Sequence, residues 1–324
     1  MQTTIETTED AARALEQIRT ELGRAVLGQG AVIDQVLITF LAGGHALLEG
    51  VPGLGKTLLV LALSRAIGGT FSRIQFTPDL MPSDVTGHSM YNTTTGQFSV
   101  RKGPVFANLL LADEINRAPA KTQAALLEVM QEQQVTIEGE AHSLSPPFMT
   151  LATQNPIEME GTYPLPEAQL DRFLLKISIA YPDQADEIAI VSQVCSGRIG
   201  DGLDVSAIQP VVSPEAAVAL QRRAAAVQVE ERVVAYAVRI VRATRAHSGI
   251  AVGAGPRGAI ALVRAGRAAA LLAGRDFTTP DDIKSVSLPA LRHRILLAPE
   301  LEIEGMQTDD VLREILAAVE APRS

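Results

Sequence analysis

The chain has 324 residues, of which 47% are hydrophobic and 20% charged, enough for a sizeable core and for two domains. A formal net charge of −9 argues against a general duplex-binding surface, and 4% aromatics with no Trp argue against a stacking platform for single strands. Cys195 is the sole cysteine, so neither an internal disulfide nor a Cys-based zinc site can form within the chain.

The first predicted element is an amphipathic helix over residues 10 to 26, carrying Ala11, Ala14, Leu15, Ile18 and Leu22 on one stripe. A second helix covers about 30 to 42. From 45 to 180, short apolar strands alternate with helices, with strands expected at 46–49, 73–76, 109–112, 148–153 and 174–179. That alternation implies an α/β fold with a mostly parallel five-stranded sheet. Two insertions break the rhythm. Residues 77 to 102 contain a hairpin, His88 to Asn92 against Gln97 to Val100. A second hairpin lies at about 134–144, turning at Glu138-Gly139-Glu140. Residues 183 to 212 read as a short helix and a linker marked by Gly197, Gly200, Gly202 and Pro210. From Ser213 to 324 the pattern is all helical, about four helices, with starts announced by Ser213-Pro214-Glu215 and Thr279-Pro280-Asp281-Asp282.

The first expected strand, Ala46 to Glu49, runs into Gly50-Val51-Pro52-Gly53-Leu54-Gly55-Lys56-Thr57, followed by the helical run from Thr57 to Ile67. Strand, glycine loop and helix form the phosphate-binding loop of nucleotide hydrolases. The glycines let backbone N–H groups converge on phosphate oxygens. Lys56 would reach the β- and γ-phosphates and the Thr57 hydroxyl would ligate Mg²⁺. The apolar strand Leu109 to Ala112 ends in Asp113-Glu114. Alone, that pair is an ordinary helix start. With a phosphate loop upstream, Asp113 becomes the Mg²⁺ anchor and Glu114 the base that polarises water. Asn155 follows a further apolar strand, where its amide could meet the attacking water, although Asn before Pro is also a common turn residue.

His45, His88, His142, His247 and His293 show no ligand spacing. No apolar signal region opens the chain, and the most apolar stretch, Ala259 to Ala273, is broken by Arg264 and Arg267. A cytoplasmic protein with no membrane insertion is therefore expected.

Longer strings carry a resemblance: LAGGHALLEGVPGLGKT, IQFTPDLMPSDVTG, GPVFANLLLADEINRAPAKTQAALLEVMQE, TQNPIEMEGTYPLPEAQLDRF and TPDDI with a later LRHRI. From about Leu27 to Glu304 the chain resembles the MoxR branch of the AAA+ ATPases. The resemblance implies an AAA+ core over 1–182, a linker over 183–212 and a helical lid over 213–324. It implies that Gly50, Pro52, Gly53, Leu54, Gly55, Lys56, Thr57 and Leu58 line the nucleotide and that Gly28-Gln29 lies beside the adenine. It makes Asn155 similar to sensor 1 and Arg172 to an arginine finger. Arg257 is similar to sensor 2, acting from the lid of the same chain, and Arg117 to a second interface cation. It further implies ATP and Mg²⁺ as cofactors, a homo-oligomeric ring (a hexamer), a protein client and a partner with a von Willebrand factor A domain. Two alternatives stay open: a nucleic-acid-associated motor and a low-turnover nucleotide-gated scaffold. Hairpin charge weighs against the first. Residues 134–144 carry Glu138 and Glu140 but no Lys or Arg, and the 77–102 insertion sets Asp79 and Asp84 against Arg101 and Lys102.

Overall fold

Thr7 caps the first helix, α1 (Thr8–Ala25): its hydroxyl accepts from Asp10 N at 3.1 Å, and the Asp10 carboxylate accepts from Thr7 N at 3.1 Å. This reciprocal pair satisfies donors that a helix start leaves open. The predicted stripe of α1 is buried, and α2 (Gly30–Leu41) is buried along most of its length, as a helix apolar on nearly all sides must be. The computed structural model describes residues 5–94, 96–155, 162–195 and 205–322. The glycines expected to mark the linker, at 197, 200 and 202, lie outside the described residues, as does the stretch 156–161 after Asn155.

After α2 come β1 (Ala46–Glu49), α3 (Lys56–Ala66), β2 (Phe71–Gln75) and the short α4 (Pro82–Thr86). The hairpin β3 (Gly87–Asn92)–β4 (Gln97–Lys102), β5 (Leu109–Asp113), α5 (Ala120–Glu132) and the hairpin β6 (Gln134–Ile137)–β7 (Glu140–Ser143) follow. β8 (Met149–Gln154), α6 (Glu167–Leu170), β9 (Leu175–Ser178) and α7 (Gln184–Cys195) complete this part. The five expected strands are present, with no end displaced by more than two residues. They form one sheet in the order β2-β5-β8-β1-β9, every pair parallel. Alternate residues feed two cores: Leu48, Leu109, Leu111 and Leu151 join one, while Leu47, Leu110 and Ala112 join the other. A strand buried on both faces reads as a continuous apolar run, which is why Leu109-Leu110-Leu111-Ala112 was legible. The chain leaves β1 for the far edge of the sheet, so a crevice opens at the carboxyl end of β1 beside β8.

The lid contains α8 (Pro214–Ala226), α9 (Glu231–Ala246), β10 (Ile250–Val252), α10 (Pro256–Leu272), α11 (Pro280–Leu291), β11 (Leu296–Leu297), α12 (Pro299–Ile303) and α13 (Thr308–Ala318). Both expected caps form: Ser213 Oγ accepts from Ala216 N and Thr279 Oγ1 from Asp282 N, each at 3.3 Å. Six helices stand where about four were expected, and a two-stranded antiparallel ribbon, β10–β11, joins them. The five-residue α12 and the ribbon are too short to leave a hydrophobic period. α10 packs against α8, α9 and α11 and also against α1 and α2, while α11 lies on β9. Apolar residues of α8–α11 and α13 thereby join the same contiguous core as α1–α3. Among the described residues no helix is long and apolar enough to cross a membrane.

Candidate active site

β1 ends at Glu49 and the chain turns through Gly50–Gly55 into α3. Gly53 and Gly55 sit at φ +86° and +75°, with open space where a side chain would point. This left-handed backbone suits glycine and lets the loop curl around a ligand. Gly55 is the N-cap of α3 and Lys56 its first residue, so unpaired N–H groups of the helix start face the loop, as an anion requires. Pro52 and Gly53 are exposed, whereas Leu54 and Leu58 pack partly against the core and set the loop on the sheet. Lys56 Nζ donates to Gly50 O. Burial lowers the Lys56 pKa, and the carboxylates of Asp113, Glu114 and Glu49 oppose that. Thr57 follows on the first turn.

The expected neighbour of the base touches this loop. Gln29 is buried and donates from Nε2 to Leu54 O at 3.0 Å, while its Oε1 is buried with no partner. An orphaned amide oxygen beside a phosphate loop is an acceptor of the kind an adenine amine needs. Gly28 has φ +71°, and a Cβ there would lie 2.6 Å from Asp186 Oδ2 on α7, so only glycine passes.

Asp113 and Glu114 lie at the carboxyl end of β5. Asp113 Oδ1 accepts from Thr153 Oγ1 at 2.6 Å, and its Oδ2 lies 2.6 Å from the Arg73 guanidinium. Glu114 takes the left-handed conformation at φ 55°, ψ 50°, uncommon for a residue with a side chain. Its N–H donates to Thr153 Oγ1 at 2.8 Å, so one hydroxyl bridges both acidic residues. The Glu114 carboxylate accepts from Gln75 Nε2 at 2.8 Å and from Arg117 Nε at 3.0 Å. Arg117, expected as an interface cation, is thus engaged with the Glu114 of its own chain. Asn155, 7% exposed, follows β8, the strand between β5 and β1. That order places it between the acidic pair and the glycine loop.

Among the described residues no group of three or more His, Cys, Asp or Glu gathers as a metal cage. Mg²⁺ does not need one: it keeps several waters and takes one or two protein oxygens plus phosphate. Thr57 and Asp113 fit that requirement. Sequence reading missed Arg73, Gln75 and Thr153. Arg73 and Gln75 project to one face of β2 at period two, and the register sets Gln75 opposite Asp113.

Arg172 and Arg257 lie elsewhere. Arg172 precedes β9, whose neighbour Leu174 donates from N to His45 O at 2.8 Å, at the amino end of β1. Arg172 donates to Leu127 O on α5 at 2.7 Å. Arg257, in the first turn of α10, lies 3.5 Å from Asp171 Oδ2. Both arginines line a cavity of about 380 Å³ with Gly43, Gly44 and His45. From His45 to Gly50 extended chain spans about 16 Å, so this cavity opens at the sheet end opposite the phosphate loop. The expectation that Arg257 serves the cradle of its own chain is therefore corrected. α10 packs beside α2 and delivers Arg257 to the amino ends of the strands, next to Arg172.

Comparison with known proteins shows the family. The ATPase family associated with various cellular activities (AAA) matches residues 45–175, and the AAA lid domain matches residues 242–315. The chain is 43% identical to Chaperone MoxR1 of Mycobacterium tuberculosis (strain ATCC 25618 / H37Rv), over 95% of this chain and 82% of that protein. It is 46% identical to the uncharacterized protein YeaC of Bacillus subtilis (strain 168), over 97% of each. A crystal structure of a protein from Cytophaga hutchinsonii superposes with a TM-score of 0.90 at 42% identity, covering 98% of this chain and 97% of that one. Glycine loop, acidic pair, lid and relatives together place the chain in the MoxR family of AAA+ ATPases.

Proposed function

We propose that this chain hydrolyses ATP at a site completed by a second copy of itself, and uses the cycle to remodel a protein target. One observation carries the reading: the cradle and the acidic pair occupy one end of the sheet, while Arg172 and Arg257 occupy the other. A single chain cannot bring both ends to one triphosphate. Successive copies in a ring can, and the family resemblance supports a hexamer.

In this reading Gly53 to Thr57 hold the phosphates and Lys56 neutralises the β- and γ-oxygens. Thr57 and Asp113 would hold Mg²⁺, which would supply positive charge against the phosphate oxygens. Glu114 accepts the proton of the attacking water while Asn155 orients that water. The new bond joins water oxygen to the γ-phosphorus, and the bond to the β-phosphate oxygen breaks, giving ADP and phosphate. Arg172 and Arg257 of the adjacent subunit face the charge that develops. Their release on phosphate loss changes the angle between subunits.

The β3–β4 hairpin supports a protein client. Met90, Tyr91, Phe98 and Val100 are exposed there, and the Tyr91 and Phe98 ring centroids lie 5.1 Å apart with the planes tilted by 55°. Such an apolar tip suits protein contact better than phosphate tracking. By family resemblance, the client is a protein undergoing maturation, and a von Willebrand factor A domain protein assists.

The reading is tested by ATPase assays of wild type and Lys56→Ala, with and without DNA. Turnover that needs Lys56 and ignores DNA supports it. Wild-type turnover by Lys56→Ala, or strict dependence on DNA, contradicts it. Glu114→Gln held in ATP should retain the client in a pull-down.

A further inference from the structure

We propose that Arg294 is a positioning residue for the shared site: it locks the Arg172 loop and Arg257 into one unit that is offered to the neighbouring subunit. The proposal rests on the shared-site reading above.

Arg294 follows α11, and its side chain is 4% exposed. Its guanidinium reaches the finger loop, the preceding helix and the adjacent His293. Nε meets Asp171 Oδ1 at 2.7 Å. One terminal nitrogen donates to Asp171 O at 3.2 Å and Phe173 O at 2.6 Å. The other donates to Leu174 O at 3.1 Å and to Ala290 O. That second nitrogen also lies 2.8 Å from His293 Nε2, so every guanidinium nitrogen is engaged, five of the partners being oxygens. Three of those oxygens are the backbone carbonyls of 171, 173 and 174, which flank Arg172.

Asp171 divides its carboxylate between two arginines. Oδ1 takes buried Arg294, and Oδ2 faces Arg257, whose side chain is 60% exposed. Arg257 is therefore referenced to the same anchor as the loop that bears Arg172. The residues before Arg294 extend the seam. Buried His293 Nε2 lies 3.0 Å from Phe173 O, and Arg292 donates to Ser178 Oγ at 2.7 Å on β9. The end of α11 is stitched to the strand and loop that carry the finger, so lid motion and finger motion become one displacement. A buried arginine is a costly way to gain stability alone, because apolar residues fill such a space at lower cost. It does fix geometry, and a misplacement of about 1 Å at a reacting centre costs on the order of 100-fold in rate.

Lysine keeps the charge at this position but lacks the planar five-donor fork. Arg294→Lys should lower kcat by about 10- to 100-fold with ATP KM changed by less than about twofold. Mixed with Lys56→Ala subunits, it should regain activity, because its intact cradle then meets a correctly held Arg172 from the neighbour. The double variant Lys56→Ala/Arg294→Lys should give no such help to Arg172→Ala subunits. Wild-type kcat in Arg294→Lys overturns the proposal. So does a low kcat that Lys56→Ala subunits do not restore while the Arg172→Ala and Lys56→Ala pair does recover; the defect then lies in its own cradle, and the shared-site reading survives. Failure of both pairs in rings shown to be mixed sinks the shared-site reading and the proposal with it. Should Arg294→Lys fail to fold by circular dichroism, Asp171→Asn, which keeps the shape and removes the charge, goes through the same mixing with the same expected results.

Discussion

Gln75 Nε2 donates to Glu114 Oε2 at 2.8 Å across two adjacent strands, and two residues further on the chain enters the 77–102 insertion. Glu114, the proposed base, is thus tethered by the strand that leads into the segment proposed to face the client. A pull on that segment has a short path to the chemistry. Releasing one hydrogen bond, worth roughly 1 kcal/mol net, should raise kcat of Gln75→Ala by about fivefold with KM for ATP unchanged. Steady-state ATPase kinetics check this. A lower kcat would show that Gln75 orients Glu114 for attack instead of restraining it.

Glu114→Gln should bind ATP as wild type does and hydrolyse it at least about 100-fold more slowly, because the amide cannot take the proton of water. The backbone of residue 114 is already held in its left-handed turn by Thr153 Oγ1 at 2.8 Å. The substitution therefore removes the proposed base without moving the loop. Nucleotide titration and single-turnover hydrolysis separate the two effects; near-normal hydrolysis would place the base elsewhere.

Arg257→Ala should lower kcat by at least about tenfold, since a guanidinium meeting transition-state charge is worth orders of magnitude in rate. Adding Lys56→Ala subunits should restore part of that activity, as Arg257 lies beside Asp171 at the end of the sheet away from its own cradle. A sensor acting within its own chain would not be rescued by mixing.

His45 predicts an acid-sensitive fold. It is buried, its Nδ1 accepts from Thr150 N at 2.9 Å, and its Nε2 lies 3.0 Å from Met130 O. Its pKa is lowered from 6.5 to about 4, chiefly by burial; the Met130 hydrogen bond opposes the shift and Arg264 adds to it. Below 6.5 the unfolded chain takes up a proton that the folded chain refuses until about 4, so stability falls across that window as pH drops. The loss from this residue is on the order of 3 kcal/mol. Buried His293 shifts in the same direction, by desolvation and then by Arg294. Denaturant titrations across this pH range should show a steep decline for wild type and a shallower one for His45→Gln, which starts less stable near neutrality.

The strands β1, β5 and β8 were legible because each is a short, mostly apolar run closed by Gly50, Asp113 or Asn155, and the phosphate loop because its spacing is fixed by the backbone turn it must make. Asp113, Glu114 and Asn155 follow from standing at strand ends. Arg73, Gln75 and Thr153 were not legible, since their partners depend on the register between strands about forty residues apart. Arg294 was hidden more deeply: its acceptors lie about 120 residues upstream. The amphipathic period of α10 announces a buried face but does not say which end of the sheet it reaches. For that reason Arg257 was expected at the wrong end.

The most direct test of a site shared between copies mixes two inactive variants. Lys56→Ala retains the arginines and loses the cradle, while Arg172→Ala retains the cradle and loses the finger. Each alone should be nearly inactive, and mixed rings should regain a substantial fraction of wild-type ATP turnover, peaking near equal proportions. Mixed rings that stay inactive at every ratio, or a wild-type chain that hydrolyses ATP at full rate as a monomer, would contradict the account.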